Sequence, residues 1–336
     1  MTKHSAWATE DGMTKKKTAD RNPAAALPQH IAVIGAGAMG TLFAARIAEQ
    51  GIGVTLVDID RRRLDAIAGH GIALTDDAGT RTVAVGTASA DQLGPGVQLA
   101  IVFTKSMHTR AAAASIAHLA ACGTTVLTLQ NGLGNAESIA TAFPPTQILK
   151  GMAALPADLA GVTEVRTHGS AHVVLGPFQA SPVSDDAAAS AVALLSGAGF
   201  DAELATTADV DVAVWEKVAF NAALNTIAAV TGRTNGGMDN EPGRAIAAAI
   251  VDEVAATAMA TGIAVDAPRI HVTVIDALVQ HRHHEPSMLQ DVAAGRPTEI
   301  EAIAGAVIER AEAVGVDVPV TRTLANLVRL VETPRT

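Results

Sequence analysis

From His30 to Ile34 the chain is apolar at nearly every position, and it then breaks on Gly35-Ala36-Gly37-Ala38-Met39-Gly40. Apolar residues return at Leu42, Ala45, Ile47 and Ala48 with helical spacing, Gly51 is placed as that helix's C-cap, and Val54 to Val57 reads as a second buried strand ending at Asp58. Arg61 to Ala68 predicts a helix, and Ile72 to Val85 alternates around Asp77, Gly79 and Arg81 like a small β excursion. Continuous apolar strands follow at Leu99 to Thr104 and Thr125 to Leu129, with an alanine-rich helix over Thr109 to Ala121 between them. Val162 to Thr167 and His172 to Leu175 predict a hairpin that extends the sheet, and Asp185 to Gly197 one more helix.

Strand and helix in alternation predict a doubly wound, Rossmann-type α/β sheet. From about Asp209 the pattern is helical only, over Asp209 to Thr231, Gly243 to Thr261, Arg269 to Gln280, Pro297 to Ala313 and Val320 to Glu332. The expected organisation is a polar tail over 1–29, a Rossmann-type domain over 30–208 and an all-α domain over 209–333.

Composition narrows the function classes. A formal net charge of -10, 2% aromatic residues and no tyrosine argue against a nucleic-acid groove or stacking platform. No run approaches the roughly eighteen uncharged apolar residues of a membrane span. Residues Met1 to Pro28 carry Lys15-Lys16-Lys17 without the apolar core of a signal peptide, and Met13 is an alternative start. A soluble cytoplasmic protein is therefore expected. The single cysteine, Cys122, follows two alanines and reads as a small core residue. Apolar helices such as Gly243 to Thr261 would pack either within the chain or between two copies of it as a homodimer.

The glycine turn carries the first candidate chemistry. Gly35 suits a tight turn, Gly37 close approach of a pyrophosphate, and Gly40 close packing of the helix on the strand, with Ala36, Ala38 and Met39 completing the loop. Asp58 stands where a carboxylate meets the two adenosine ribose hydroxyls of NAD, and Lys105 and Asn131 close two further strands on the same sheet edge. The helical half contributes Lys217, Asn221 and Asn225, spaced by four on an otherwise apolar helix. A lysine and two amides on one stripe would hold a carbonyl oxygen and an acid, with the lysine donating a proton as hydride reaches carbon. Ser287-Met288-Leu289-Gln290-Asp291 and Thr298-Glu299-Ile300-Glu301 form a second polar stretch, in which Thr298 suits an N-cap.

Together these motifs resemble the ketopantoate reductase family. The likeness covers Ile31 to about Val331 and rests on the glycine turn, Thr104-Lys105, QNGLGN from Gln130, the Lys217/Asn221/Asn225 stripe, Asn235, SMLQD from Ser287 and TEIEAIAG from Thr298. The resemblance implies reduction of 2-dehydropantoate to D-pantoate with a nicotinamide cofactor. It further implies Lys217 as general acid, Glu299 as a carboxylate on the substrate hydroxyl, and Asn221, Asn225, Asn235 and Ser287 as substrate ligands. Lys105 would contact the cofactor, and Asn131 would lie near the nicotinamide and Lys217.

Two departures bear on specificity. Where NADPH-preferring members carry an arginine, this chain has Asp58-Ile59-Asp60, whose carboxylate repels a 2′-phosphate, so NAD(H) is favoured. NADP(H) stays possible because Arg61, Arg62 and Arg63 follow. Three residues before Ser287, where familiar members have a substrate-contacting asparagine, stands His284, in the run His281-Arg282-His283-His284. That run lacks a thiol or acid at ligand spacing, and no metal is expected. The alternatives are an NAD-dependent D-2-hydroxyacid dehydrogenase of the same family acting on branched or aromatic 2-oxo acids, and a non-catalytic dinucleotide sensor.

Overall fold

The computed structural model describes residues 27–333. Its strands are β1 (His30–Ile34), β2 (Gly53–Val57), β3 (Ile72–Asp76), β4 (Gly79–Val83), β5 (Gly86–Ala88), β6 (Leu99–Val102), β7 (Thr125–Thr128), β8 (Ile148–Ala154), β9 (Asp158–Leu159), β10 (Glu164–Arg166), β11 (His172–Pro177) and β12 (Asp201–Leu204). Its α-helices are α1 (Ala38–Ala48), α2 (Arg61–His70), α3 (Thr109–Ser115), α4 (Asn135–Ile139), α5 (Pro182–Gly197), α6 (Thr207–Thr231), α7 (Glu241–Ala260), α8 (Ala267–Gln280), α9 (Ser287–Ala293), α10 (Ala306–Val314) and α11 (Pro319–Glu332). Two compact units result. The first takes the chain up to Gln130 and Asn135–Val210, and the second takes Asn131–Gly134 and the chain from Asp211.

In the first unit, among the described residues, eight strands pair in the order β12-β11-β8-β7-β6-β1-β2-β5, parallel throughout except between β8 and β11. The two-residue period of a doubly buried strand builds a core on each face. Ile31 and Val33 of β1 join Leu42, Phe43 and Leu56 on one side, while Ala32 and Ile34 join Ala100, Val102 and Ile116 on the other. This is a Rossmann-type doubly wound sheet, as the strand–helix alternation predicts.

Several local expectations are corrected. The hairpin expected from Val162 to Leu175 does not form: β10 pairs with β3 and β9 in a separate four-stranded sheet, whereas β11 pairs with β8 and β12 in the main one. β8 escapes the apolar pattern because Lys150 and Gly151 interrupt it. A Cβ on Gly151 would fall 2.2 Å from the Val174 carbonyl oxygen, so the glycine permits the antiparallel approach of β11. β12 escapes because it is a short polar edge strand. The alanine-rich helix stops at Ser115, whose hydroxyl bonds back to the Ala112 carbonyl, and continues as a 3-10 segment over Ala117–Cys122. Cys122, expected in the core, is exposed at the end of that segment.

The first helix is capped by Glu49, and Gly51, with φ 79°, turns the chain two residues later. Of the expected tail, residues 1–26 lie outside the described residues, Lys15-Lys16-Lys17 and Met13 among them. Gln29 already belongs to the fold, since its carbonyl accepts the Gly53 amide and its own amide meets Gln98.

The second unit is helical. Trp215, Val218, Ala222, Leu224 and Ile227 of α6 pack with Ile250 and Val254 of α7, Leu278 of α8, Val307 of α10 and Val328 of α11. The buried Glu216 carboxylate is held by Arg269 and by the Asp266 amide, so this apolar helix carries a buried charge that is paired. The continuous helix expected over Pro297 to Ala313 is instead a bend followed by a π-helical turn, Glu301–Gly305, leading into α10. Thr298 still acts as a cap, its hydroxyl accepting the Ile300 amide. No helix among the described residues is long and apolar enough to cross a membrane.

Candidate active site

The glycine turn is built by close backbone approaches. Gly35 takes φ 105°, and a Cβ there would stand 2.8 Å from the Thr104 amide nitrogen, while a Cβ on Gly40 would stand 1.9 Å from the Gly35 carbonyl oxygen. These two glycines seat α1 against the sheet. Gly37 differs: it is exposed, and a Cβ there would meet nothing within 4 Å. No side chain caps α1, and its first turn has no acidic residue. An open, uncapped helix N-terminus beside an unobstructed glycine fits a dinucleotide pyrophosphate.

Asp58 is tied to this loop. Its carboxylate accepts the Ala36 amide at 2.5 Å and the Asp60 amide at 2.9 Å. The Ala36 carbonyl in turn accepts the Thr41 hydroxyl, which receives Nη2 of Arg63 at 3.3 Å. Of the three arginines, Arg61 and Arg62 are exposed and Arg63 is turned inward, with Nε buried and unpartnered. Burial lowers the Arg63 pKa, against the opposing pull of Asp58 and Asp60. Lys105 is half-buried immediately before the 3-10 turn Ser106–His108, on the sheet edge where it was expected.

The same unit holds a buried polar cluster that the apolar pattern does not announce. The fully buried Thr109 hydroxyl accepts Gln130 Nε2 at 2.8 Å and donates to Asn135 Oδ1 at 2.9 Å, and Gln130 also donates to the Thr104 carbonyl. The amides of QNGLGN carried that information, since two such groups near strand ends need partners once buried.

In the second unit Asn131, Asn221 and Glu299 come together. Asn221 Nδ2 donates to Asn131 Oδ1 at 3.2 Å, and Asn131 Nδ2 lies 3.5 Å from Glu299 Oε2. Asn131 thus lies with the helical residues, although its position in the sequence falls within the span of the Rossmann-type domain, 30–208. The Leu133 amide bonds to the Ala302 carbonyl at 2.8 Å, and Leu133 packs against the helical core.

Lys217 stands one turn before Asn221 on α6, half-buried, with Nζ 4.8 Å from the centre of the Phe220 ring. Burial disfavours its ammonium and brings its pKa down to about 8. Asn225, a further turn along, is buried. Asn235 is buried too, with Nδ2 on the Ala277 carbonyl and Oδ1 without a partner, an acceptor that the protein's own donors leave unfilled. Ser287 is exposed as the first residue of α9.

The run His281 to His284 brackets Asn235: the Asn235 amide donates to the His284 carbonyl, the Gly236 amide to the Arg282 carbonyl, and Arg282 pairs with Asp239 at 2.8 Å. Among the described residues no three His, Cys, Asp or Glu side chains are grouped to hold a metal.

An ammonium whose pKa is brought to about 8, a carboxylate and several amides are the donors and acceptors that a polar carbonyl substrate requires. Comparison with known proteins bears on which one. The family model described as ketopantoate reductase PanE/ApbA matches residues 31–180, and the model of that family's C-terminal domain matches 209–332. A 2-dehydropantoate 2-reductase of Halobacterium salinarum is 32% identical over 304 residues, covering 90% of this chain and 98% of the relative. One from Streptococcus pyogenes is 30% identical, covering 89% and 97%. Among solved structures, a D-mandelate dehydrogenase in a ternary complex with NADH and anilino(oxo)acetate superposes with a TM-score of 0.85 at 27% identity, covering 90% of this chain and 98% of that one. A 2-dehydropantoate 2-reductase of Geobacter metallireducens gives 0.82 at 29%, covering 90% and 99%.

Proposed function

The chain belongs to the ketopantoate reductase family, and from its own residues we propose that it reduces a 2-oxo acid, 2-dehydropantoate, to the D-2-hydroxy acid with a nicotinamide dinucleotide. When bound, the reduced nicotinamide supplies hydride to the substrate's C2 carbon. Gly35 to Gly40 and the α1 N-terminus hold the pyrophosphate, Asp58 takes the ribose hydroxyls, and Lys105 contacts the cofactor. Lys217 donates its proton from Nζ to the carbonyl oxygen as the C–H bond forms, becomes neutral, and is reprotonated from solvent. Glu299 accepts a hydrogen bond from the substrate hydroxyl, and Asn221, Asn225, Asn235 and Ser287 hold the hydroxyl and carboxylate groups.

The observation that carries this reading is the joining of Asn131, Asn221 and Glu299 one helical turn from a lysine whose pKa is brought to about 8. A general acid works best when its pKa lies near the working pH. An ordinary lysine, near 10.5, would be a much weaker donor.

NADH is the preferred cofactor in this proposal. Asp58 is fixed against the loop amide of Ala36, where its charge opposes a 2′-phosphate, and the inward arginine, Arg63, is engaged with Thr41. A second reading, reduction of aromatic or branched 2-oxo acids, is supported by the likeness to the NADH-bound D-mandelate dehydrogenase and by His284 three positions before Ser287. Steady-state assays of NADH and NADPH, each against 2-dehydropantoate and a panel of aromatic and branched 2-oxo acids, test both. Highest kcat/KM with 2-dehydropantoate supports the first reading, highest with an aryl 2-oxo acid the second, and no turnover of any 2-oxo acid overturns both.

A further inference from the structure

Asn131 is held by contacts that belong to its neighbours in the chain. Gly132 adopts φ 87°, a left-handed conformation that glycine reaches without steric cost. A Cβ there would stand 2.5 Å from the Ala302 carbonyl oxygen and 2.7 Å from both the Ala302 carbonyl carbon and its Cβ. The next amide, of Leu133, donates to that same carbonyl at 2.8 Å. Ala302 lies in the π-helical turn Glu301–Gly305, in which the Gly305 amide bonds to the Ile300 carbonyl, and Glu299 lies two residues before the turn. The backbone on either side of the Asn131–Glu299 contact is thus pressed together at Gly132 and Ala302, closer than any side chain at 132 allows.

We propose that Gly132 is a positioning residue: its contact with Ala302 sets the depth at which Asn131 reaches Glu299 and Asn221, so that one amide orients the carboxylate and the other amide together. The inference rests on the reading of Lys217 and Glu299 as the groups that act on substrate. Asn131 offers its carbonyl to Asn221 and its NH2 to Glu299, at 3.2 and 3.5 Å. The longer of the two has little tolerance. Displacing the loop by a few tenths of an ångström removes the donor from Glu299 and leaves its carboxylate less stabilised in the charged form.

The test compares Gly132→Ala, Ala302→Val, Asn131→Ala and the double variant Asn131→Ala/Gly132→Ala by kcat, KM and the pH profile of 2-oxo acid reduction. Gly132→Ala is expected to lower kcat about tenfold, with a much smaller change in the KM for dinucleotide. It should also move the acidic limb of the profile upward by roughly half to one pH unit, as a carboxylate losing a donor requires. The effect should vanish in the Asn131→Ala background, where there is no amide left to misplace. Ala302→Val presses on the same loop from the opposite side without introducing a strained backbone, and it should move the acidic limb in the same direction if Gly132→Ala does not fold.

Variants with unchanged kcat and acidic limb, or Gly132→Ala and Asn131→Ala effects that simply add, overturn the proposal. Lys217→Ala and Glu299→Gln serve as the control. If those two turn over like the wild type, the underlying reading has failed; if they are crippled while Gly132→Ala and Ala302→Val behave as wild type, only the positioning role has failed.

Discussion

The backbone amide of Ala36 donates to the carboxylate of Asp58 across 2.5 Å. The residue that would select the ribose and the loop that would hold the pyrophosphate are therefore one hydrogen-bonded piece, and Thr41 and Arg63 extend it behind the loop. A substitution at Asp58 acts on both parts.

Asp58→Asn removes the charge and keeps one of the two hydrogen bonds, because its single amide oxygen can still accept the Ala36 N–H while the Asp60 bond is given up. The ratio of kcat/KM for NADPH over NADH is expected to rise by about tenfold or more, with NADH itself losing a few-fold. Steady-state kinetics with both cofactors measure it. An unchanged ratio would remove Asp58 from cofactor selection.

The Lys217 pKa of about 8 sets the sign of the pH dependence. With Lys217 as the proton donor, reduction needs the ammonium, so the alkaline limb of the kcat profile should fall above about 8 with one proton's slope. Oxidation of the hydroxy acid needs the neutral amine and should rise through the same region. Profiles in both directions check this; a forward rate that holds steady beyond pH 9 would mean that Lys217 is not the proton donor.

Burial of Lys217 has a consequence for stability as well. Its folded-state pKa is lowered from 10.5, so the penalty on the folded state is complete below about 8 and disappears as pH rises toward 10.5. Lys217→Met should therefore stabilise the protein by about 2 kcal/mol near neutral pH, and the gain should shrink on titration to high pH. Denaturant unfolding at a series of pH values measures the difference; equal stability of the two proteins near neutral pH would contradict it.

Thr109 makes a separate prediction. Its hydroxyl serves Gln130 and Asn135 inside the first unit, so Thr109→Val would take one partner from the half-buried Gln130 amide and one from the buried Asn135 amide. A loss of roughly 2 to 3 kcal/mol is expected, with Thr109→Ser recovering most of it. Equal stability of the valine and serine variants would show that the hydroxyl contributes little.

What could be read from the chain beforehand divides by how local its cause is. His30 to Asp58 was legible because strand, glycine turn, helix and acidic strand end follow one another without interruption. The Lys217, Asn221 and Asn225 stripe was legible for the same reason, since helical periodicity alone brings it to one face. β8 was not, because Lys150 and Gly151 break its apolar run, and the reason for the glycine lies in β11. The hairpin across His168 failed because strand neighbours in sequence can find other partners, here β3 for β10 and β8 for β11. At the site, the end of a strand pointed to Asn131 and resemblance supplied the role of Glu299, as separate residues. Their contact spans 168 positions and depends on the Gly132 approach to Ala302, which no local pattern encodes.

In the proposed reaction Lys217 supplies the proton as a 2-oxo acid is reduced. Single-turnover oxidation of enzyme-bound NADH by 2-dehydropantoate, in wild type and in Lys217→Ala, tests it most directly. The expected rate in the variant is lower by about 10³-fold, with dinucleotide affinity and fold retained. A variant that turns over as fast as the wild type would contradict it.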